Sequence, residues 1–372
     1  MAHQKHAKLA KPIGGKFGRL ELGILGTPCG EIKNLAEQII RELGSQYKIG
    51  YVDADHAKAD HKDQGINEVR MLASGGSRVF TNKISFGRLD SSTVEEAFTM
   101  REQFSDCDLV IVNGNHFEAD AQIAVSDSRK DLQKKKSKLT NVVLVIENDL
   151  EAPQELEIAS ETKVLNFADK DSIVEFVKDF VATSLPAVNG LVLAGGKSTR
   201  MGHDKGLIEF HGQPQREYAA KILESVCEQV YISCRPEQME GIANPIVDSF
   251  SELGPYGGIL SAFRKNPNTA WLTVACDLPF LDESILKYLI ENRNSSKLAT
   301  CFMDSDNQFP EPLITVWEPR AYPQLLKYLS LGYSCPRKVL INSEVQTLQV
   351  PNLNALTNVN SQEDLEKARA VL

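Results

Sequence analysis

At 372 residues the chain is too long for one ordinary core, and its length implies two or three domains. Its 41 basic and 50 acidic residues give a net charge of -9, which leaves no footprint for non-specific nucleic-acid binding or for docking on anionic membranes, so any phosphate site must be local. Seven cysteines, at 29, 107, 227, 234, 276, 301 and 335, form no C-x-x-C pair and no regular framework, which favours reduced thiols scattered through cores over zinc or disulfides.

Residues 1–18 are basic without an apolar signal region and read as a disordered tail. Nowhere is there the uninterrupted apolar run of roughly 20 residues that a membrane span needs, so the expectation is a soluble cytoplasmic protein. From Arg19 short apolar runs alternate with longer amphipathic stretches, the pattern of parallel strands separated by crossover helices. "RLELGILG", "KIGYVDAD", "SRVFTNK", "CDLVIVNG", "NVVLVIEN" and "TKVLNFA" are strand candidates, with "EIKNLAEQIIREL", "GINEVRMLASG" and "TVEEAFTMREQF" as helices. "KKKSK" at 134 to 138 is a solvated loop or helix end. "KDSIVEFVKDFVATSLPAVNG" reads as a closing helix and a Pro-containing hinge, which places a boundary between 186 and 187.

The second series begins at once with "GLVLAGG", then "QVYISCRP", "NPIVD", "AWLTVACD" and "ATCFM", separated by helices such as "QREYAAKILESV" and "ESILKYLIENR". The two halves, 19–186 and 187–372, are each expected to be a doubly wound α/β domain with a mainly parallel sheet. No short-period repeat is visible.

The first candidate phosphate loop is "GILGTPCGEIKNL" at 23 to 35. The pattern G-x-x-x-x-G-K-[ST] would start at Gly26, but Glu31, Ile32 and Lys33 stand where it needs glycine, lysine and a hydroxyl residue. The frame is present and the chemistry is missing. The second candidate, "LAGGKSTRMGHDKGLIEFHGQP" from Leu193, is more complete. Paired glycines, Gly195 and Gly196, let the backbone approach a ligand and form an anion nest at a strand end, while Arg200 and Lys205 bring two cations within a few residues. "WLTVACD" is an apolar run ending in Asp277, at the carboxyl edge of a parallel sheet, and one such carboxylate with substrate phosphates is an adequate magnesium anchor. Alone, an acid before Pro279 would read as a helix cap.

The string "LAGGxSxRMGxDK" resembles the signature loop of the molybdenum cofactor guanylyltransferases, MobA-like members of the nucleotidyltransferase superfamily. The resemblance continues through "VDSFSELGPYGGILSAF", "VACDLPFL", "FPEPLI" and "NVNSQEDL", so it runs from about Asn189 to the C-terminus. It implies a Rossmann-like nucleotidyltransferase fold, with Leu193, Ala194, Gly195 and Gly196 along the nucleotide, Lys205 on its phosphates, Ser233 and Asp248 as further nucleotide contacts, and Asp277 on Mg2+. It also brings Asn358 and Asn360 to the pterin end of the acceptor, although a helix cap is the plainer use of that segment. "LAGG" and the pair Asp204 and Lys205 favour the guanylyl branch over relatives with "LAAG" and "PK". Ser233 stands where the family often has asparagine, and "GPYGGI" replaces the commoner "GPLAGI". His203 reads as exposed loop.

The amino half is similar to the MobB-type adaptor of the same pathway, which implies a P-loop-NTPase-like fold. Asp53, Asp55, His56, Asp60, Asp63, Arg70 and "DLVIVNG" at 108 to 114 occupy the comparable places, but Asn113 replaces the family's glutamate. With the P-loop lysine and hydroxyl also absent, this half is expected to be a non-hydrolytic binding or docking scaffold. The Asp/His spacing between 53 and 63 is no recognised metal pattern.

The implied reaction transfers GMP from GTP to molybdenum-loaded molybdopterin and releases pyrophosphate, with other cofactor-biosynthesis proteins or acceptor apoenzymes as partners and no nucleic acid or membrane. The competing enzymatic readings are CMP transfer to molybdopterin and nucleotide transfer to a sugar phosphate. The competing reading of another class is a non-catalytic scaffold for cofactor delivery.

Overall fold

The computed structural model describes residues 15–54, 69–93, 97–148, 161–196 and 205–372. Of the expected tail, residues 1–14 lie outside the described residues. The chain divides into two units, one built on Leu20–Val181 and the other on Ala182–Leu372.

In chain order the first unit contains β1 (Leu20–Leu25), α1 (Cys29–Leu43), β2 (Ile49–Val52), α2 (Arg70–Ala73), β3 (Arg78–Asn82), β4 (Gly87–Ser91), α3 (Ala97–Gln103), β5 (Leu109–Asn113), β6 (Ala121–Ser126), β7 (Val142–Glu147), β8 (Lys163–Asn166) and α4 (Lys170–Thr183). Six strands form one sheet in the order β2-β5-β1-β6-β7-β8, with every neighbouring pair parallel. α1 follows from its apolar spacing. Ile32, Leu35, Ala36, Ile39 and Leu43 fall on one buried face, packed in the same core as Leu22, Ile24, Leu109 and Ile111 of the sheet. Glu31 in its first turn and Arg41 in its last complement the helix dipole.

One strand expectation is corrected, and one strand of the sheet lies outside the candidates. "SRVFTNK" does not enter the sheet; among the described residues β3 pairs with β4 alone, in a separate antiparallel hairpin. β6, "AQIAVS", is absent from the strand candidates and sits beside β1, with Ala121, Ile123 and Val125 alternating into the core that holds Leu22 and Ile24. All six of its residues are buried, so both faces of the sheet are covered there. "KKKSK" falls in a 3-10 turn at Gln133–Lys138.

The second unit contains β9 (Val188–Leu193), α5 (Gln215–Leu223), β10 (Val230–Cys234), β11 (Pro245–Val247), α6 (Pro255–Lys265), β12 (Ala270–Ala275), α7 (Glu283–Glu291), β13 (Ala299–Met303), β14 (Pro310–Trp317), α8 (Ala321–Ser330), α9 (Pro336–Ile341), β15 (Gln346–Leu348) and α10 (Gln362–Val371). Its seven-stranded sheet has the order β11-β10-β9-β12-β14-β13-β15. β14 runs antiparallel to both β12 and β13, and the remaining pairs are parallel. Alternate residues feed two cores: Val192, Leu272 and Val274 pack on one side, and Leu191, Leu193 and Trp271 on the other. Two covered faces explain why these strands read as continuous apolar runs.

The strand order fixes where a ligand can sit. From β9 the chain steps outward to β10 and β11, then returns to β12 on the other side of β9. The connections therefore diverge between β9 and β12, leaving a crevice at their carboxyl ends. Leu193 is in register with Ala275, so the residues that follow each strand emerge side by side.

Candidate nucleotide site

Ala194, Gly195 and Gly196 leave the end of β9 beside Cys276 and Asp277 at the end of β12. The Ala194 N–H donates to the Ser233 carbonyl at 3.2 Å, tying the loop to β10. A Cβ on Gly195 would lie 2.9 Å from Asp248 Oδ2, whereas one on Gly196 would meet nothing within 4 Å among the described residues. A side chain at the first glycine would therefore crowd the Asp248 carboxylate. Ser233 Oγ donates to Asp248 Oδ1 at 2.8 Å. Burial pushes the Asp248 carboxyl above the ordinary carboxylate range, and the Ser233 bond opposes that shift.

Lys205 opens a short 3-10 turn, Lys205–Leu207. Its Nζ donates to Asn360 Oδ1 at 2.6 Å and lies 3.4 Å from Asp277 Oδ2. The other oxygen of Asp277, Oδ1, is buried and has no hydrogen-bond partner from another residue among the described residues. Burial raises the Asp277 carboxyl above its ordinary value, with Lys205 pulling it back. Asn360 is placed by a capping box at the start of α10, where Ser361 Oγ accepts from the Asp364 N–H and the Asp364 carboxylate accepts from the N–H groups of Asn360 and Ser361.

These groups surround a cavity of about 290 Å³ lined by Leu193, Ala194, Gly195, Gly196, Lys205, Ser233, Asp248, Asp277 and Asn360, together with Gly254, Pro255, Ala275, Cys276 and Leu313. Arg200, His203 and Asp204 lie outside the described residues. Asn358 is half-buried and does not line the cavity; it precedes Val359, whose N–H donates to the Asp277 carbonyl at 2.9 Å. Gly254 and Pro255 were not singled out in the sequence, although "GPYGGI" carries their signal. Proline at N1 starts α6, and Gly254 before it has φ 57 and ψ -136, a conformation open essentially to glycine.

A carboxylate oxygen buried without a donor is what a divalent cation would satisfy, and the residues present fit such an ion. Among the described residues no group of three or more His, Cys, Asp or Glu is arranged to hold a metal. The fit is therefore to an ion held largely by substrate phosphates and water, with one protein carboxylate.

The corresponding turn in the first unit is satisfied by its own side chains. Gly26 has φ 95, and a Cβ there would fall 2.4 Å from the Val125 carbonyl oxygen. Thr27 Oγ1 donates to Asp127 Oδ2 at 2.5 Å, Asn148 Nδ2 donates to the same oxygen at 2.8 Å, and Arg129 Nε donates to Asp127 Oδ1 at 2.9 Å. The Arg129 bonds, with those from Thr27 and Asn148, hold the Asp127 carboxyl far below the ordinary range. Asn115 Nδ2 donates to the Thr27 carbonyl at 2.9 Å. Asn113 is buried, and its Nδ2 donates to Asp53 Oδ1 at 2.7 Å. Arg70 opens α2. Asp55, His56, Asp60 and Asp63 lie outside the described residues.

A doubly wound sheet with a glycine loop, a lysine and a half-buried acid at its switch point defines an α/β domain of the nucleotide-binding class. Residues 190–346 match the family model described as the MobA-like NTP transferase domain. A curated relative from Pseudomonas fluorescens, called molybdenum cofactor guanylyltransferase, is 30% identical over 195 residues, covering 51% of this chain and 97% of its own. The chain belongs to this MobA-like family of molybdenum cofactor guanylyltransferases. A Synechocystis sp. relative, called molybdenum cofactor biosynthesis bifunctional protein, is 40% identical over 179 residues, which are 47% of this chain. The match spans about half the length of that relative, 52%. The crystal structure of molybdopterin-guanine dinucleotide biosynthesis protein A from Archaeoglobus fulgidus aligns with 49% of this chain and 97% of its own at 23% identity and a TM-score of 0.43. Among the described residues, no helix is long and apolar enough to cross a membrane.

Proposed function

We propose that the second unit transfers GMP from GTP to molybdenum-loaded molybdopterin, forming the guanine dinucleotide cofactor and pyrophosphate. The observation that carries this reading is the pairing of Lys205 with an Asp277 whose second carboxylate oxygen is buried and has no partner from another residue among the described residues, in a cavity lined by Gly195 and Gly196. The family membership supports the reaction class, and the names of the relatives support molybdopterin as acceptor.

In this reading the backbone of Leu193 to Gly196 lies along the nucleotide, with Ser233 and Asp248 as further contacts. Lys205, together with Arg200, offsets phosphate charge. Asp277 would hold Mg2+, which when bound would neutralise charge on the α-phosphate and the leaving pyrophosphate. Asn360 keeps the Lys205 ammonium on the cavity side, and Asn358 and Asn360 approach the acceptor. The acceptor phosphate is already ionised at neutral pH, so the protein needs no nucleophile or general base, and positioning with fixed charge supplies the catalysis. The first unit acts as a non-hydrolytic docking scaffold for molybdopterin or for a biosynthetic partner, a use supported by the internally satisfied turn at Gly26.

Incubating the intact chain with Mg2+, each nucleoside triphosphate and molybdenum-loaded molybdopterin, while measuring pyrophosphate and dinucleotide, tests the proposal. GTP-dependent product is expected. CTP-dependent product would instead support cytidylyl transfer, and no product with any nucleotide would remove the transferase reading. Asp277→Ala should lower turnover by at least about 100-fold with the circular dichroism spectrum retained. An unchanged rate would defeat the metal assignment.

A further inference from the structure

The segment that follows Asp277 is held from outside the cavity. Four of its carbonyls in five residues are occupied: that of Asp277 accepts from the Val359 N–H at 2.9 Å, that of Leu278 from Gln215 Nε2 at 3.1 Å, that of Pro279 from His211 Nε2 at 2.8 Å, and that of Leu281 from Tyr218 Oη at 3.3 Å. A carbonyl only accepts, so Nε2 of His211 carries the hydrogen. The rings of His211 and Tyr218 stack with centroids 3.8 Å apart and 16° between their planes, bracing the imidazole against α5. None of these three side chains lines the cavity.

Gln215 also ties this segment to the turn that bears Lys205. Its N–H donates to the Ile208 carbonyl at 2.9 Å, and the Ile208 N–H donates to the Lys205 carbonyl at 3.2 Å. A short chain of hydrogen bonds therefore runs from the backbone of Lys205 through Ile208 and Gln215 to the residue next to Asp277, joining two groups 72 positions apart in sequence. Gln215 is 1% exposed, and its Oε1 is buried without a partner among the described residues. An apolar side chain of similar size would suit that core better, because a buried amide with one unsatisfied atom is destabilising. Packing alone does not account for a glutamine at this position.

We infer that His211, Gln215 and Tyr218 are positioning residues that fix the Asp277 carboxylate relative to the Lys205 ammonium, and so set the affinity of the site for a divalent cation. The inference rests on the metal role proposed for Asp277. Partners that orient a metal ligand from behind commonly change metal affinity by about 10- to 100-fold when removed.

Mn2+ titration of the intact chain with saturating GTP and no acceptor, followed by electron paramagnetic resonance with thermal melts alongside, provides the test, because substrate phosphates complete the ion's coordination. Gln215→Leu is expected to melt no lower than the wild type and to weaken Mn2+ binding by about 10-fold or more. His211→Ala should weaken it similarly, and His211→Gln, which keeps an N–H donor, should recover most of the loss. In turnover, the defect should fall on the apparent KM for Mg2+ rather than on that for GTP. If Gln215→Leu and His211→Ala both bind Mn2+ within about twofold of the wild type while Asp277→Ala does not bind it, the positioning role is overturned and the metal role stands. If Asp277→Ala binds Mn2+ as the wild type does, both are removed.

Discussion

Asp248 is a charged group kept where burial disfavours its charge. Its carboxyl is raised above the ordinary range by burial, and Ser233 Oγ at 2.8 Å offsets only part of that effect. A carboxylate whose folded-state pKa is raised reduces stability above that pKa, and the penalty disappears as pH falls below the unfolded value near 3.8. Asp248→Asn should therefore melt higher than the wild type at pH 7 to 8, by about 1 to 3 °C because solvent partly reaches the group, with the difference closing toward pH 4. Melts across that range check it; a gap that widens on acidification would contradict the raised carboxyl. The loss of a carboxylate beside Gly195 should at the same time weaken GTP binding. The grouping of Leu193 to Gly196, Lys205 and Asp277 was legible because glycines and an acid at the ends of apolar strands must share a sheet edge. Gly254 and Leu313 were not, since their place depends on how α6 and the antiparallel β14 return to that edge.

Elements with a strong period could be read, and those dominated by tertiary context could not. α1 announces itself through Ile32, Leu35, Ala36, Ile39 and Leu43, and the central strands through continuous apolar runs. β6 carries only a short alternation, Ala121, Ile123 and Val125, and its buried glutamine and serine break the continuous apolar run that marks its neighbours. "SRVFTNK" has the branched and aromatic residues of a sheet strand, yet as β3 it leaves Phe80 70% exposed. Within β6, Gln122 does what a backbone ladder would otherwise do for the segment after the 3-10 turn. It is 5% exposed, its Nε2 donates to the Lys138 carbonyl at 2.8 Å, and its Oε1 accepts from the Thr140 N–H at 2.9 Å. Gln122→Ala removes both bonds, so a loss of about 1 to 3 kcal/mol is expected, read as a lower denaturant midpoint for the first unit. A midpoint shift equivalent to less than about 0.5 kcal/mol would show that solvent replaces those bonds without cost.

The molecule contains two sheets with a glycine turn at the carboxyl end of a central strand, and the two turns differ in what remains for a ligand. At Gly195 and Gly196 the nearby polar groups include a lysine beside the half-buried Asp277, one of whose oxygens has no partner from another residue among the described residues. At Gly26 the hydroxyl of Thr27 is spent on Asp127, Arg129 and Asn148 complete the bonding of that carboxylate, and Asn115 holds the Thr27 carbonyl. A phosphate arriving at the second turn would meet the Asp127 carboxylate and would have to break bonds already made. GTP binding to the intact chain in the presence of Mg2+ is therefore expected at a single site. Calorimetry should give one mole of GTP per mole of chain, and Lys205→Ala should weaken that binding by about 10-fold or more, the usual effect of removing a charge-assisted bond. Asp127→Ala, which leaves the site around Lys205 untouched, should change neither the stoichiometry nor the affinity. Two equivalents of GTP on the wild type, or a site that survives Lys205→Ala and is lost with Asp127→Ala, would show that the first unit binds nucleotide after all and would turn the scaffold reading into one of a second nucleotide site.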